Sequence, residues 1–166
     1  MAEPLIPDVV VNICHNCLPQ AGKLPRQWKQ DGSLVSIREI PCSGKIDVQY
    51  LLHALEGVRG GVCVVACPVG ECHLAQGNQR AEVRMATVRR LLAEIGIEPE
   101  RAELLHASPQ EPLTRLDQKI RATVKRLAEL GPSPLQSGSR REPTPQHDKS
   151  AGPEAPAQRR GSALRT

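Results

Sequence analysis

The sequence predicts an α/β domain in which a small parallel sheet of about four strands is flanked by helices. Short apolar runs alternate along the chain with longer segments whose apolar residues recur at helical spacing, which is the pattern of strand–helix units. The runs VVVNIC and GVCVVA are almost continuously apolar, which is typical of parallel strands buried on both faces. The 166-residue chain has no Phe, one Trp and one Tyr, so aliphatic side chains must fill the core.

Each element has its own local signal. Strands are predicted at about 9–14, 36–42, 61–67 and 101–107, and helices at about 48–56, 78–95 and 111–130. Asp47 is a suitable N-cap for the first helix, and Gly57, Gly96 and Gly131 follow the three helices as stop signals. The polar segment 18–32 contains two prolines and predicts a loop with room for a short helix. This order of elements corresponds to a flavodoxin-like or Rossmann-like layout.

The end of the chain differs in composition from the rest. Residues 132–166 are rich in Pro, Gly, Ser, Gln and Arg, which predicts a disordered tail after a folded domain at 1–131. From residue 131 onward there are six basic and three acidic side chains, so most of the net charge of +4 lies there. A folded part that is nearly neutral and poor in aromatic side chains does not predict nucleic acid as a partner.

The start of the chain and its apolar runs predict a location. The segment MAEPLIPDVVVNIC has neither the basic region nor the long apolar stretch of a secretory signal. No run approaches the roughly 20 apolar residues that span a bilayer. We therefore expect a cytoplasmic protein without a membrane partner. In that compartment, clustered cysteines are more often metal ligands or redox groups than disulfides.

Five of the six cysteines fall in three short clusters at the carboxyl ends of predicted strands. These are Cys14 with Cys17, Cys42, and Cys67 with Cys72. The carboxyl ends of parallel strands share one edge of the sheet, where ligands of such folds bind, so we expect these thiols to converge. Converged thiolates hold a soft metal ion or an iron–sulfur cluster. The sixth cysteine, Cys63, lies inside the third strand and is expected to pack as a small apolar side chain.

The cysteine pattern alone leaves three kinds of site open. The first is an iron–sulfur cluster. The second is a zinc site, in which His15 or His73 would replace a thiolate; otherwise these histidines are exposed or donate hydrogen bonds to sulfur. The third is a dithiol redox pair formed by Cys14 and Cys17. No Gly-rich nucleotide-binding motif and no nucleophile–base pattern is evident.

Longer blocks around the cysteines give the chain a resemblance to a known family. The blocks are C-x-x-C at Cys14–Cys17, PCSGKID at 41–47, ACPVGECHL at 66–74, then Gly77–Asn78, Arg84, LLAEIGI and the RAEL strand. Over about Val10–Ser108 the chain resembles the delta, iron–sulfur subunit of methyl-viologen-reducing hydrogenases, which shares the five-cysteine layout. It departs from the family at three positions where aromatic residues are usual, and has Asn16, Leu74 and Leu105 there.

The resemblance implies an electron-transfer subunit of an anaerobic oxidoreductase complex, which does no bond chemistry by itself. A 2Fe–2S cluster would be held by four of the five cysteines Cys14, Cys17, Cys42, Cys67 and Cys72. The implied electron donor is a hydrogenase or other dehydrogenase subunit, and the implied acceptor is a heterodisulfide-reductase-like flavoprotein. A zinc-stabilised adaptor module and a dithiol oxidoreductase using Cys14 and Cys17 stand as the alternatives.

Overall fold

The computed structural model describes residues 8–18 and 24–136. The strands are β1 (Val9–Cys14), β2 (Gln27–Gln30), β3 (Ser33–Ile40), β4 (Gly61–Ala66) and β5 (Ala102–His106). The helices are α1 (Val48–Glu56), α2 (Gly77–Glu94) and α3 (Leu113–Glu129). The strands form one sheet in the order β2-β3-β1-β4-β5, parallel except for β2. The predicted α/β class is confirmed, with one strand more than expected.

The additional strand, β2, lies in the segment that the sequence predicted as a loop, and that prediction was wrong here. A two-residue turn at Asp31–Gly32 joins β2 to β3, and both turn residues have positive φ, 50° and 81°. This conformation favours Asp-Gly in tight hairpins. Trp28 packs on the core, while its neighbours Gln27 and Lys29 are exposed. The Asp-Gly pair was the signal for this hairpin, and the prolines before it obscured the signal.

Two apolar layers cover the sheet, one on each face. The layer under α3 contains Val9, Val11, Ile13, Cys63, Val65, Leu116, Ile120, Val124 and Leu127. The layer under α1 and α2 contains Val10, Val62, Val64, Leu51, Leu55, Met85, Val88 and Leu92. Each fully buried aliphatic side chain contributes about 1.5–3 kcal/mol relative to an exposed one. Cys63 is 0% exposed within the first layer, as its position in the strand predicts.

The helix ends follow their sequence signals. The Asp47 carboxylate accepts a hydrogen bond of 2.7 Å from the Tyr50 backbone amide and so caps α1. Gly57 is the C-cap of the same helix. Gly96 and Gly131, which follow α2 and α3, have φ of 75° and 71°, a left-handed conformation that costs glycine little.

Arg101 connects the loops at the amino edge of the sheet. Its guanidinium is 1% exposed and donates to the carbonyl oxygens of Gly60, Leu130 and Gly131 at 2.8, 3.2 and 2.9 Å. It also donates to the Glu98 carboxylate at 2.8 Å. This side chain therefore joins the start of β4, the end of α3 and the turn before β5.

The chain continues past α3 into a short 3₁₀ turn at Pro134–Gln136, and Leu135 packs against the layer under α1 and α2. The rest of the predicted tail, residues 137–166, lies outside the described residues. Within the described residues, none of the helices combines the length and the apolar character that crossing a membrane requires.

Candidate metal centre

The five clustered cysteines all lie at the carboxyl edge of the sheet. Cys14 is the last residue of β1, Cys17 ends the 3₁₀ turn that follows it, and Cys67 comes directly after β4. Cys42 follows β3, and Cys72 lies in the loop before α2. Cys72 is partly exposed, whereas the other four are buried. The structure thus brings together thiols from three separate parts of the chain, because parallel strands end at the same edge.

Cys14, Cys17 and Cys67 form the tighter part of this group. Their Sγ atoms all lie within 4.8 Å of one another. The Cys67 sulfur is 3.9 Å from that of Cys14 and 3.6 Å from that of Cys17. Within the described residues, these three thiols are the one group of His, Cys, Asp or Glu side chains close enough to hold a metal ion. Neither predicted histidine belongs to it, since His15 and His73 are both exposed.

Cys42 and Cys72 lie close together beside Gly77, the first residue of α2. A Cβ atom built on Gly77 would be 2.5 Å from the Cys42 sulfur and 3.0 Å from the Cys72 sulfur. Real Cβ atoms do not approach other atoms this closely, so only glycine leaves room for both thiols. A Cβ on Gly44 would likewise lie 2.6 Å from the Gly77 Cα. The two glycines let the Cys42 loop pack directly on the start of α2.

Two polar side chains of α2 hold the cysteine loops in place. Arg84 donates to the carbonyl oxygens of Gly44 and Ile46 at 2.8 and 2.7 Å. Asn78 donates to the carbonyl oxygen of Pro68 at 2.8 Å. Asn78 and Arg84 belong to the sequence blocks that resemble the family, but the sequence did not predict their contacts. In the structure they fix the loops that carry Cys42, Cys67 and Cys72.

The sulfur atoms receive hydrogen bonds from amide groups. Asn16 donates from its side-chain amide to the Cys67 Sγ at 3.3 Å and to the Glu71 carbonyl oxygen at 3.2 Å. The Gly44 backbone amide donates to the Cys42 Sγ at 3.4 Å. The buried Ser43 hydroxyl, beside Cys42, has no hydrogen-bond partner within the described residues. Asn16 is one of the three positions at which the sequence departs from the family, and its contact with Cys67 could be recognised only from the structure.

These surroundings move the cysteine pKa values in opposite directions. The hydrogen bond from Cys17, followed by the amides of Ser43 and Asn16, lowers the pKa of Cys14 to about 5 despite burial. Donation to Cys14, with burial, raises the pKa of Cys17. Burial raises the pKa of Cys42 and of Cys67.

Cys72 resembles Cys14 in being held toward its charged form. Burial raises the pKa of Cys72. Hydrogen bonds from the backbone amides of Asn78, Leu74 and Gly77 have a larger combined effect in the opposite direction, so the net shift of the pKa is downward. At this edge the pKa values of Cys14 and Cys72 are therefore lowered, whereas those of Cys17, Cys42 and Cys67 are raised. A bound cation would offset the cost of ionising a buried thiol, because thiolates are the form that ligates metals.

The fold and this edge define a class of protein: an α/β domain with helices on both faces and a cysteine group at the carboxyl edge of its sheet. Residues 9–131 match the family model described as methyl-viologen-reducing hydrogenase, delta subunit. The chain therefore belongs to this family. The resemblance drawn from the cysteine blocks is confirmed.

Curated relatives fall into two groups. An F420-non-reducing hydrogenase iron-sulfur subunit of Archaeoglobus profundus is 32% identical over 130 residues, covering 76% of this chain and 95% of the relative. The vhu iron-sulfur subunit of the F420-non-reducing hydrogenase of Methanopyrus kandleri is 35% identical over 100 residues, covering 60% and 75%. In the second group, a ferredoxin:CoB-CoM heterodisulfide reductase subunit of Methanosarcina mazei is 38% identical over 91 residues, covering 55% of this chain and 11% of the relative.

Proposed function

We propose that this protein is an electron-transfer subunit whose cysteine edge holds a 2Fe–2S cluster. The observation that carries the proposal is the close group of three thiols, Cys14, Cys17 and Cys67, at the same edge as the pair Cys42 and Cys72, which a side chain at Gly77 would displace. The hydrogenase relatives are named as iron-sulfur subunits, which supports an iron–sulfur group here. When bound, such a cluster accepts and releases single electrons.

The residues present fit this group. Thiolate is the ligand that iron–sulfur clusters use, and five thiols are available for four ligand positions. We assign Cys14, Cys17 and Cys67 as three ligands and expect the fourth from the pair Cys42 and Cys72. Four of these five cysteines are buried, and Cys72 is partly exposed. The surrounding amide hydrogens are suited to the negative charge of ligated thiolates.

The donor that we propose is a hydrogenase or other dehydrogenase subunit, and the acceptor is a heterodisulfide-reductase-like flavoprotein. The relatives supply the support: several are named as hydrogenase subunits, and another is named as part of a heterodisulfide reductase. In that last relative, the segment similar to this chain occupies 11% of a larger polypeptide. A module that is fused to a reductase in one protein is suited to bind a reductase in another. The cytoplasm remains the expected location.

The testing experiment is anaerobic expression followed by iron and sulfide analysis and EPR spectroscopy after dithionite reduction. We expect about two irons and two sulfides per chain, with a spin-half signal in the reduced protein. Cys14→Ser should lose most of this cluster. Cys63→Ala is the matched control, since Cys63 lies in the apolar layer under α3, and it should keep the cluster.

Other results would select an alternative or reject the assignment. Zinc without iron, in a colourless protein prepared without oxygen, would support the adaptor. Activity that survives metal removal but not alkylation of Cys14 and Cys17 would support the dithiol oxidoreductase. Retention of the full cluster in each of the five single Cys→Ser variants would reject the proposed ligands.

A further inference from the structure

The cysteine group is covered unevenly. Cys14, Cys17 and Cys67 belong to the apolar layer under α3. Cys72 is partly exposed, and Cys42 lines a surface cavity of about 260 Å³ beside the start of α2. An electron that passes between this group and solvent therefore has its shortest path on the side of Cys42 and Cys72.

Positive charge lines the Cys42 side of this path. Lys45, Arg80 and Arg84 line the same cavity as Cys42. Lys45 and Arg80 are exposed. Asp47 is the single carboxylate in that lining, and one of its oxygens already caps α1. The amino end of the 18-residue helix α2, at Gly77, adds partial positive charge.

Exposed aliphatic side chains accompany these cations. Leu74, in the cavity lining, is 62% exposed. An adjoining cavity of about 230 Å³ shares Arg80 and Arg84 and adds Val83, which is 68% exposed. Exposed aliphatic side chains beside several like charges are typical of a protein contact surface, in which apolar contact is combined with electrostatic steering.

We propose that this surface, consisting of Lys45, Leu74, Arg80, Val83 and Arg84, is the docking site for an acidic one-electron carrier protein. The proposal rests on the proposed function, because it requires a redox group at the cysteine edge. The partner's carboxylates would meet Lys45 and Arg80, and its apolar contact would cover Leu74 and Val83. The partner loses one electron and this chain gains it, or the reverse, and no bond forms or breaks.

The first test uses small charged oxidants on the dithionite-reduced full chain with its cluster. Ferricyanide is a trianion and hexaammineruthenium(III) is a trication. In Lys45→Glu/Arg80→Glu, we expect the ferricyanide rate to fall about tenfold at about 0.1 M ionic strength and the ruthenium rate to rise. A change of reduction potential would move both rates in the same direction, so opposite changes isolate the local charge.

The matched control is Lys29→Glu/Lys125→Glu, which makes the same change of net charge at exposed positions on β2 and α3. This control should leave both rates within about twofold of wild type, since screening confines surface charge effects to roughly 10 Å. Arg84 stays unchanged because it holds the Cys42 loop. Equal rate changes in the two double variants would overturn the proposed location.

The second test uses a reduced, acidic plant-type ferredoxin as the probe partner, donating to the oxidised full chain. We expect the wild-type rate to fall as salt is added and to fall about tenfold in Lys45→Glu/Arg80→Glu, but not in the control. A wild-type rate that does not fall with salt, or a double variant as fast as wild type, would overturn the acidic partner. Failure of the proposed function would be seen separately. In that case the wild-type protein would contain no iron and would give no EPR signal after reduction.

Discussion

The amino and carboxyl edges of the parallel sheet differ in how the loops that meet there are held together. At each edge, loops distant in sequence are brought together and present polar groups to one another. At the amino edge, the Arg101 guanidinium donates to four backbone carbonyl oxygens and to Glu98. At the carboxyl edge, thiols meet mainly other thiols, and burial raises the pKa of Cys42 and Cys67.

The difference teaches what each edge contributes. At the amino edge, the Arg101 donors find their acceptors within the chain itself. Under the proposed function, the sulfurs of the carboxyl edge would have to lose protons before they bind a common cluster. The Arg101 contacts therefore stabilise the fold at one edge, while the other edge carries the cysteines that we propose as cluster ligands. Substitutions at the two edges should have separable effects.

The largest effect is expected at the amino edge. Arg101→Met would leave buried carbonyl oxygens without a donor, and we expect the free energy of unfolding to fall by about 3–5 kcal/mol. Urea unfolding of the full chain measures this loss. The molecules that stay folded should keep their iron. Arg115→Met, at an arginine whose side chain is 72% exposed, is the control and should change stability little. Similar stability of both variants would contradict the role of Arg101.

At the carboxyl edge, Gly77→Ala should have the converse effect. The new methyl group would displace the sulfurs of Cys42 and Cys72, and we expect iron binding to weaken by at least about tenfold. Iron analysis after a chelator challenge measures it. Gly57→Ala is the matched control, because a Cβ there would meet its nearest atoms at 3.6 and 3.7 Å, an ordinary contact. Full iron retention in Gly77→Ala would show that the pair beside it is not needed.

A smaller effect is expected from the hydrogen bond on Cys67. The Asn16 amide donor stabilises the more negative, reduced state of a sulfur-ligated group, and Asn16→Leu removes this donor. We expect the reduction potential to fall by about 40 mV, equivalent to about 1 kcal/mol for one electron. EPR-monitored redox titration measures it. His15→Leu, an exposed substitution in the same turn, should leave the potential unchanged. An unchanged potential in Asn16→Leu would rule out this role of the amide.

The sequence predicted the strands and helix ends that form both edges, but it did not predict the contacts between the loops there. The buried runs of β1 and β4 and the stop glycines of the helices are local signals, so the α/β class follows from them. The common edge of the cysteines follows from parallel topology. The contact of Gly77 with Cys42 and Cys72 does not follow, because it depends on how closely the Cys42 loop approaches α2.

Arg101 illustrates the same limit at the amino edge. Its sequence neighbours gave no sign that it is buried, and an isolated arginine before a strand is usually exposed. Its carbonyl partners come from residues 29 or more positions away. Charge and periodicity do not encode such long-range pairing. The hairpin of β2 was missed for a different reason, since its Asp31–Gly32 signal is local and was outweighed by the prolines before it.

The smallest effect concerns the exposed partner of Arg101 and tests how far the amino edge depends on it. The hydrogen bond from Arg101 lowers the pKa of the Glu98 carboxyl. A carboxyl whose pKa is lower in the folded state adds stability above its unfolded pKa, and this contribution is lost as pH falls through the folded pKa. Glu98→Gln should therefore lower the urea midpoint slightly at pH 7, and its difference from wild type should vanish in acid. Glu100→Gln, at an exposed neighbour, is the control for acid effects elsewhere. A large loss at pH 7 would mean that the carbonyl oxygens alone do not hold Arg101, and the amino edge would then depend on an exposed charge.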